Sequence, residues 1–425
     1  MHEVFRIWQV AAVLAFLAVA SSLALAQQPP AKKTAQPPAK KGETAPATKA
    51  APPTTTTPAE APATATPPAT AAPADAPAAN PNRPAAVEFQ KLFEDWKNVL
   101  KEMRKLKVQH QAAAEGDQAK LQEQWKALVA KGNELLVALE AAGLKAYAEA
   151  PNEDPQLTRF LVKLADDDVQ HDDYAAAGRI SEALISNQCA EKQIYDSAAV
   201  SAFVLNDYDK AEGYFKLAKD AGVLSTYGKE LEPTVKEHKE LWAKEKLIRE
   251  AEAKADDLPR VKLSTTKGDI VIELFENEAP ETVGNFVSLV EKGFYNGLIF
   301  HRVLKNFMAQ GGDPQGTGKG GPGYEIKCEC YKPEYRRHFQ GSLSMAHSGR
   351  DTGGSQFFLT FRPTPHLNGR HTCFGRVIEG MDVLSKLQRI DPDKPEKPEP
   401  DKIVKAEVVR KRNHEYVPNK VGANP

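Results

Sequence analysis

Between residues 300 and 314 the chain reads FHRVLKNFMAQGGDP, which sets Arg302 and Gln310 among Phe300, Phe307 and Met308 and closes on a pair of turn glycines. A plain core strand gains from the apolar residues. It gains nothing from burying an arginine and a glutamine beside them, because unpaired buried polar groups are costly. The mixture therefore points to a ligand held in an apolar slot with polar groups at its rim. A guanidinium is permanently charged and presents a rigid fork of donors, so at such a slot it can favour a transition state with a localised lone pair over a ground state without one. Taken alone, Arg302 reads as a surface ion-pair residue, and Phe307, Met308 and the later Phe358 each read as core. Several convergent groups in one register read as a site.

The elements that must position these residues begin near Val261, where helical spacing gives way to strand spacing. Ile270, Ile272 and Leu274 alternate in GDIVIELF, and a helix started by Pro280 sets Val283, Phe286, Val287 and Val290 on one face with Gly293 as its cap. After the Asn296-Gly297 turn, short strands are expected at 298–303, 307–310, 341–346, 356–360 and 372–377. A helix with Met381, Val383, Leu384 and Leu387 follows, then a last strand at 403–409. Many short strands separated by glycine turns, with only two helices, predict a closed antiparallel barrel.

Four blocks, FHRVLKNFMAQGGDP, GTGKGGPGYEI, GSLSMAHSGRDTGGSQFFLT and HLNGRHTCFGRVIEGMDVL, resemble in order the signature blocks of the cyclophilins, over about residues 260–413. The resemblance implies an eight-stranded antiparallel β-barrel closed by two helices, and peptidyl-prolyl cis/trans isomerase activity without metal or cofactor. By position it implies Arg302 as the catalytic residue. Phe307, Met308, Phe358 and Leu367 would form the proline pocket, Gln310 would hold the substrate carbonyl, and backbone near Ala346 and His347 would pair with the peptide; Gln356, His366 and His371 complete the substrate-binding set. The residues alone agree with that chemistry. Amide resonance sets a barrier of ~18–20 kcal/mol, and twisting an X-Pro bond localises the lone pair on the proline nitrogen, where a donor helps.

The chain departs from the family pattern in two respects, its histidines and the loop KCECYKPEYRRHF. His366 stands where cyclosporin-sensitive members typically carry tryptophan, which implies poor inhibition by that drug, and His347 stands where many relatives have asparagine. In KCECYKPEYRRHF, Cys328 and Cys330 fall in a polar loop; one of them could pair with Cys373, although a barrel-strand cysteine is more often a small buried hydrophobe. His366 and His371 flank the Asn368-Gly369 turn without a cysteine or carboxylate cluster, so no metal site is expected. Four cysteines are too few for a disulfide scaffold.

Upstream the chain is of another kind. Arg6, an apolar run over 7–20 and Ala24-Leu25-Ala26 read as a signal peptide over 1–26, with an uncleaved anchor as the alternative. Residues 27–85, rich in Pro, Ala and Thr, read as a disordered linker. From 86 to 256 the pattern is helical, with Phe89, Leu92, Phe93, Trp96, Leu100 and Met103 on one face and Leu121, Trp125, Leu128, Leu135, Leu136 and Leu139 on another. HDDYAAAGRISEALISN and LNDYDKAEGYFKLAKDA echo each other at an offset of 34 residues, the tetratricopeptide period; a generic helical bundle is the plainer reading. A polar helix over 230–255 then ends before Pro259, and residues 414–425 read as a flexible tail.

The whole is a multidomain α plus β chain. Its net charge of −1 gives no electrostatic case for nucleic acid. The partners expected are proline-containing peptide segments of client proteins, with further protein partners for the helical region, and a membrane only if the leader stays on. A cleaved leader places the protein outside the cytoplasm, in a bacterial periplasm or cell envelope. Three functions fit: an exported folding isomerase, a binding module that grips proline segments without turnover, and a helical scaffold whose barrel is incidental.

Overall fold

The computed structural model describes residues 83–112, 115–395 and 398–421, which fall in one compact unit. The leader and nearly all of the linker read from sequence lie outside the described residues.

Helices α1 (Pro84–Ala112) and α2 (Glu115–Glu149) pack together with α3 (Pro155–Gln170), and Phe89, Phe93 and Trp96 close around Phe160 with ring centroids 5.4–6.4 Å apart. Asp154 starts α3 by accepting the amides of Gln156 and Leu157, ahead of Pro155 at the first helical position. Next come α4 (Tyr174–Ser186), α5 (Ile194–Val204) and α6 (Tyr208–Asp220). The echo seen in sequence is also an echo in geometry. Asp172 before α4 and Asn206 before α6 both hold φ of +66°, Asp173 and Asp207 each cap the helix that follows, and Tyr174 and Tyr208 each donate at 3.0 Å to the side chain two residues back.

The polar helix expected as one element over 230–255 is instead broken into α7 (Thr226–Leu231), a 3-10 turn at Glu232–Thr234 and α8 (Val235–Ala255). Pro233 is the cause, since it lacks the amide an α-helical turn needs there. Helix α8 ends where Asp256 turns left-handed at φ +43°.

The second half is an antiparallel sheet of β1 (Arg260–Thr265), β2 (Gly268–Leu274), β3 (Arg302–Leu304), β4 (Met308–Gly311), β5 (Ser342–Met345), β6 (Phe357–Thr360), β7 (Cys373–Glu379) and β8 (Ile403–Arg410). Its spatial order is β3-β4-β6-β5-β7-β2-β1-β8. The sheet curls until its two edges meet just before β3 and β8. There Ile299 bridges Lys402, Phe300 N–H donates to Asp401 O at 2.9 Å, and Gly297 and Leu298 exchange bonds with Ile403. Helices α9 (Pro280–Glu291) and α10 (Met381–Lys386) complete it, and Val283, Phe286 and Val287 of α9 join Leu263, Ile272, Phe357 and Phe374 in the core.

The two halves are fastened by α8. Trp242 meets Phe339 edge-on at 5.1 Å, and Arg336, on the loop after β4, is buried between Phe275 and the carboxylates of Glu245 and Glu252. Arg376 on β7 bonds both Glu252 and Glu273. The four cysteines are free thiols, and Cys373 packs with Leu258 and Phe275, where burial pushes its thiol up to about 12. Residues 414–421, read from sequence as part of a tail, lie along the barrel. His414 and Tyr416 bond Glu276, Ile326 bridges Lys420, and Val421 donates to Glu325 O.

Candidate active site

Register assembles the site. Arg302 on β3 is paired with Gln310 on β4, and Gln310 is paired with Phe358 on β6. Directly opposed residues share a face, so three strands lay a cation, an amide and a ring side by side on one surface. Met308 sits two residues before Gln310 and therefore joins the same face. Phe307 belongs to the turn between β3 and β4, with the Arg302 guanidinium carbon 5.7 Å from its ring centre. That turn puts Asn306 at φ +55°, which asparagine tolerates better than most residues.

Hydrogen bonds fix the polar part. Gln310 Nε2 donates to Gln356 Oε1 at 2.9 Å, and Gln356 Nε2 donates to Gly320 O at 2.9 Å, so the two glutamines tie the sheet to the glycine-rich loop. Ala346 donates its amide to Gln356 O. His347 Nε2 donates to Arg370 O at 2.8 Å and His371 Nδ1 to Met345 O at 3.0 Å; the two rings stack 4.2 Å apart, and His371 meets Phe358 edge-on. Burial, aided by the neighbouring His347 and against the pull of the Met345 carbonyl, holds His371 below its ordinary pKa, so its Nε2 remains an acceptor at neutral pH.

Ten of the residues expected from sequence, Arg302, Phe307, Met308, Gln310, Ala346, His347, Gln356, Phe358, Leu367 and His371, line one cavity of about 810 Å³. His366 is not in that lining; its ring stands beside Phe307 at 5.6 Å. Sequence reasoning missed the opposite wall, which is the glycine-rich loop Gly318–Gly323 with Gln315, Lys319 and Tyr324, and on the other side Ser348 and Thr352. The signal was present in GTGKGGPGYEI, but no side chain there advertises chemistry.

Asp313 is the organiser of that loop. Its carboxylate accepts the amides of Gln315 and Thr317 at 2.7 and 2.8 Å and that of Gly318 at 2.5 Å. Burial alone would raise its pKa, but these amides and that of Gly320 bring it below the ordinary carboxylate value. Behind the apolar slot lies His338, parallel to the Phe358 ring at 6.1 Å, with Asn368 at one ring nitrogen and Ser344 at the other. Burial outweighs the Asn368 bond and pushes His338 down to about 4. The slot is thus backed by a neutral ring while Arg302 supplies the charge at its rim.

The family model for the cyclophilin type peptidyl-prolyl cis-trans isomerase/CLD matches residues 260–408. A peptidyl-prolyl cis-trans isomerase of Helicobacter pylori is 53% identical over 150 residues, covering 34% of this chain and 91% of the relative. Peptidyl-prolyl cis-trans isomerase B of Bacillus subtilis is 53% identical over 122 residues, 29% of this chain and 85% of the relative. A crystal structure of a Cryptosporidium parvum cyclophilin type isomerase, solved in the presence of the dipeptide ala-pro, has 39% identity over 35% of this chain and 98% of its own, with a TM-score of 0.33. Through residues 260–408, the chain belongs to the family of cyclophilin-type peptidyl-prolyl cis-trans isomerases.

Proposed function

We propose that this isomerase acts on X-Pro bonds of exported polypeptides as they fold, with Arg302 as the group that favours the twisted amide. The observation that carries the reading is the row Arg302–Gln310–Phe358 on three adjacent strands, opening into the cavity that Phe307, Met308 and Leu367 also line. A proline ring seated against the three apolar side chains and Phe358 brings its nitrogen toward the guanidinium. In the planar amide the nitrogen lone pair is delocalised and accepts poorly; in the perpendicular form it accepts well. The Arg302 interaction is therefore stronger at the top of the barrier than at either end, which is the condition for catalysis. Gln310 and the backbone at Ala346 and His347 hold the flanking peptide so that rotation falls on one bond.

A protease-coupled or NMR-exchange assay on a short prolyl peptide tests this. Arg302→Ala is expected to lower kcat/KM by ~10²-fold or more, with circular dichroism unchanged. Wild-type catalysis that survives Arg302→Ala overturns the role given to Arg302, and a wild type without activity leaves only binding of proline segments. The exported setting is supported by the leader and linker composition of residues 1–85. Mass spectrometry of the mature N-terminus checks it, and a chain that retains residues 1–26 in the cytoplasm removes that part of the proposal.

A further inference from the structure

The turn that carries Phe307 is held from the helical half of the molecule. Asp172, in the turn between α3 and α4, has a side chain fully shielded from solvent. Its Oδ1 accepts the Asn306 amide at 2.8 Å and the Tyr174 hydroxyl at 3.0 Å, while its Oδ2 accepts from Arg389 Nη2 at 2.7 Å. Two routes lead from it to the slot. The first is direct, because Asn306 immediately precedes Phe307 in the left-handed turn between β3 and β4. The second runs through Arg389, whose guanidinium lies 4.6 Å over the Phe361 ring, and Phe361 donates its amide to Phe307 O at 2.9 Å.

The internal repeat supplies a control. At the matching place in the second helical hairpin stands Asn206, with the same φ and the same bond from its tyrosine. An amide thus suffices for the turn itself. A carboxylate at position 172 is not needed to build the helical hairpin; what distinguishes it is the pair of partners, Asn306 and Arg389, in the barrel. Position 172 also lies outside residues 260–408, the part shared with the family.

We propose that Asp172 is a positioning residue for isomerisation: by fixing the amide of Asn306 and the guanidinium of Arg389 it sets the spacing of Phe307 from Arg302, and so makes the helical half part of the catalytic apparatus. The proposal rests on the reading of Arg302 and Phe307 as substrate contacts. A half-buried backbone amide that loses its acceptor is left unsatisfied at a cost, so the turn that carries it is no longer held, and small displacements of a group aligned on a reacting bond cost rate steeply.

The test uses the full chain with Asp172→Ala, Asp172→Asn and Arg302→Ala in the same prolyl-peptide assay. Asp172→Ala is expected to lower kcat/KM on the order of tenfold, chiefly in kcat, because the distance to the twisted nitrogen changes more than the apolar contact does. Asp172→Asn retains an acceptor for the Asn306 amide but sets an NH2 against Arg389, and is expected to recover part of that loss. In the Arg302→Ala background, Asp172→Ala should cost much less than it does alone. An Asp172→Ala protein that is folded and within twofold of wild type overturns the proposal. So does equal loss in both backgrounds, which marks a purely structural role. Should Asp172→Ala not fold, Asp172→Glu keeps the charge opposite Arg389 but displaces the carboxylate by one methylene; the same kcat loss is expected, and unchanged kcat overturns it. If Arg302→Ala alone proves fully active, the site reading fails, which is a separate outcome.

Discussion

Glu245 of α8 receives two hydrogen bonds from Arg336, Nη2 to Oε1 at 2.7 Å and Nε to Oε2 at 3.2 Å, with both side chains buried. Arg336 also bonds Glu252 and lies 3.7 Å over the Phe275 ring, so its charge is matched on two sides and covered on a third. Burial penalises Glu245, but Arg336 and then Arg249 outweigh it and bring its pKa below the ordinary value. Removing Glu245 takes from buried Arg336 one of its carboxylate partners and from Arg249 its own. Glu245→Leu is therefore expected to cost about 3–5 kcal/mol, read as a lower urea midpoint of the full chain. A midpoint within error of wild type would show that the network is open to water.

His338 gives the stability a pH dependence of defined sign. Its pKa falls from 6.5 unfolded to about 4 folded because burial disfavours the imidazolium. The contribution is fully present above 6.5. It is lost as pH falls toward 4, where the unfolded chain takes up a proton that the native ring refuses, and it amounts to about 3 kcal/mol over the window. His371, His366, His301 and His238 are depressed by burial as well and act in the same direction. The urea midpoint should be lower at pH 5 than at pH 7.5, and His338→Gln should flatten part of that slope. A midpoint that rises on acidification contradicts the assignment.

Gly320 is required by its neighbour. A methyl group there would collide with Asp313 Oδ1, the atom that also receives the Gln315 amide. Either the Asp313 carboxylate or the loop would have to shift, and the loop carries Gly320 O, the acceptor of Gln356. Gly320→Ala is expected to raise KM several-fold with the fold intact; unchanged KM would mean that this wall does not touch the peptide.

His366 sets the prediction about drug binding. Its ring stands 5.6 Å from Phe307, outside the cavity lining and at its margin. Cyclosporin should inhibit the wild type poorly, and His366→Trp, which supplies a larger apolar face and an indole N–H, should improve inhibition by about tenfold or more. Nanomolar inhibition of the wild type would show that the histidine is no obstacle.

The barrel was legible because its signals are local. Alternation placed β2 at Ile270–Leu274, Pro280 started α9, and the hairpin carrying Arg302, Phe307 and Gln310 lay within one quoted block. Boundaries moved by a few residues where pairing, which sequence spacing does not carry, decides them: residues 298–301 were expected in a strand but form only the Ile299 bridge, and β3 begins at Arg302. Glu245 and Glu252 belong to the helix that reads from sequence simply as polar. Their partner Arg336 is 91 residues from Glu245, inside a loop that read as polar, and nothing in local periodicity announces such a pairing. Asp172 was hidden for the same reason, since half of the repeat that contains it was visible while its contact with Asn306 spans 134 residues.

The segment around Lys420 and Val421 has a practical use. Lys420 bridges Ile326 and rests 4.6 Å over the Tyr324 ring, and Tyr324 and Glu325 both line the cavity. A fluorophore attached at residue 421 would therefore sit beside the bound peptide, and its emission could report occupancy in real time without labelling the client.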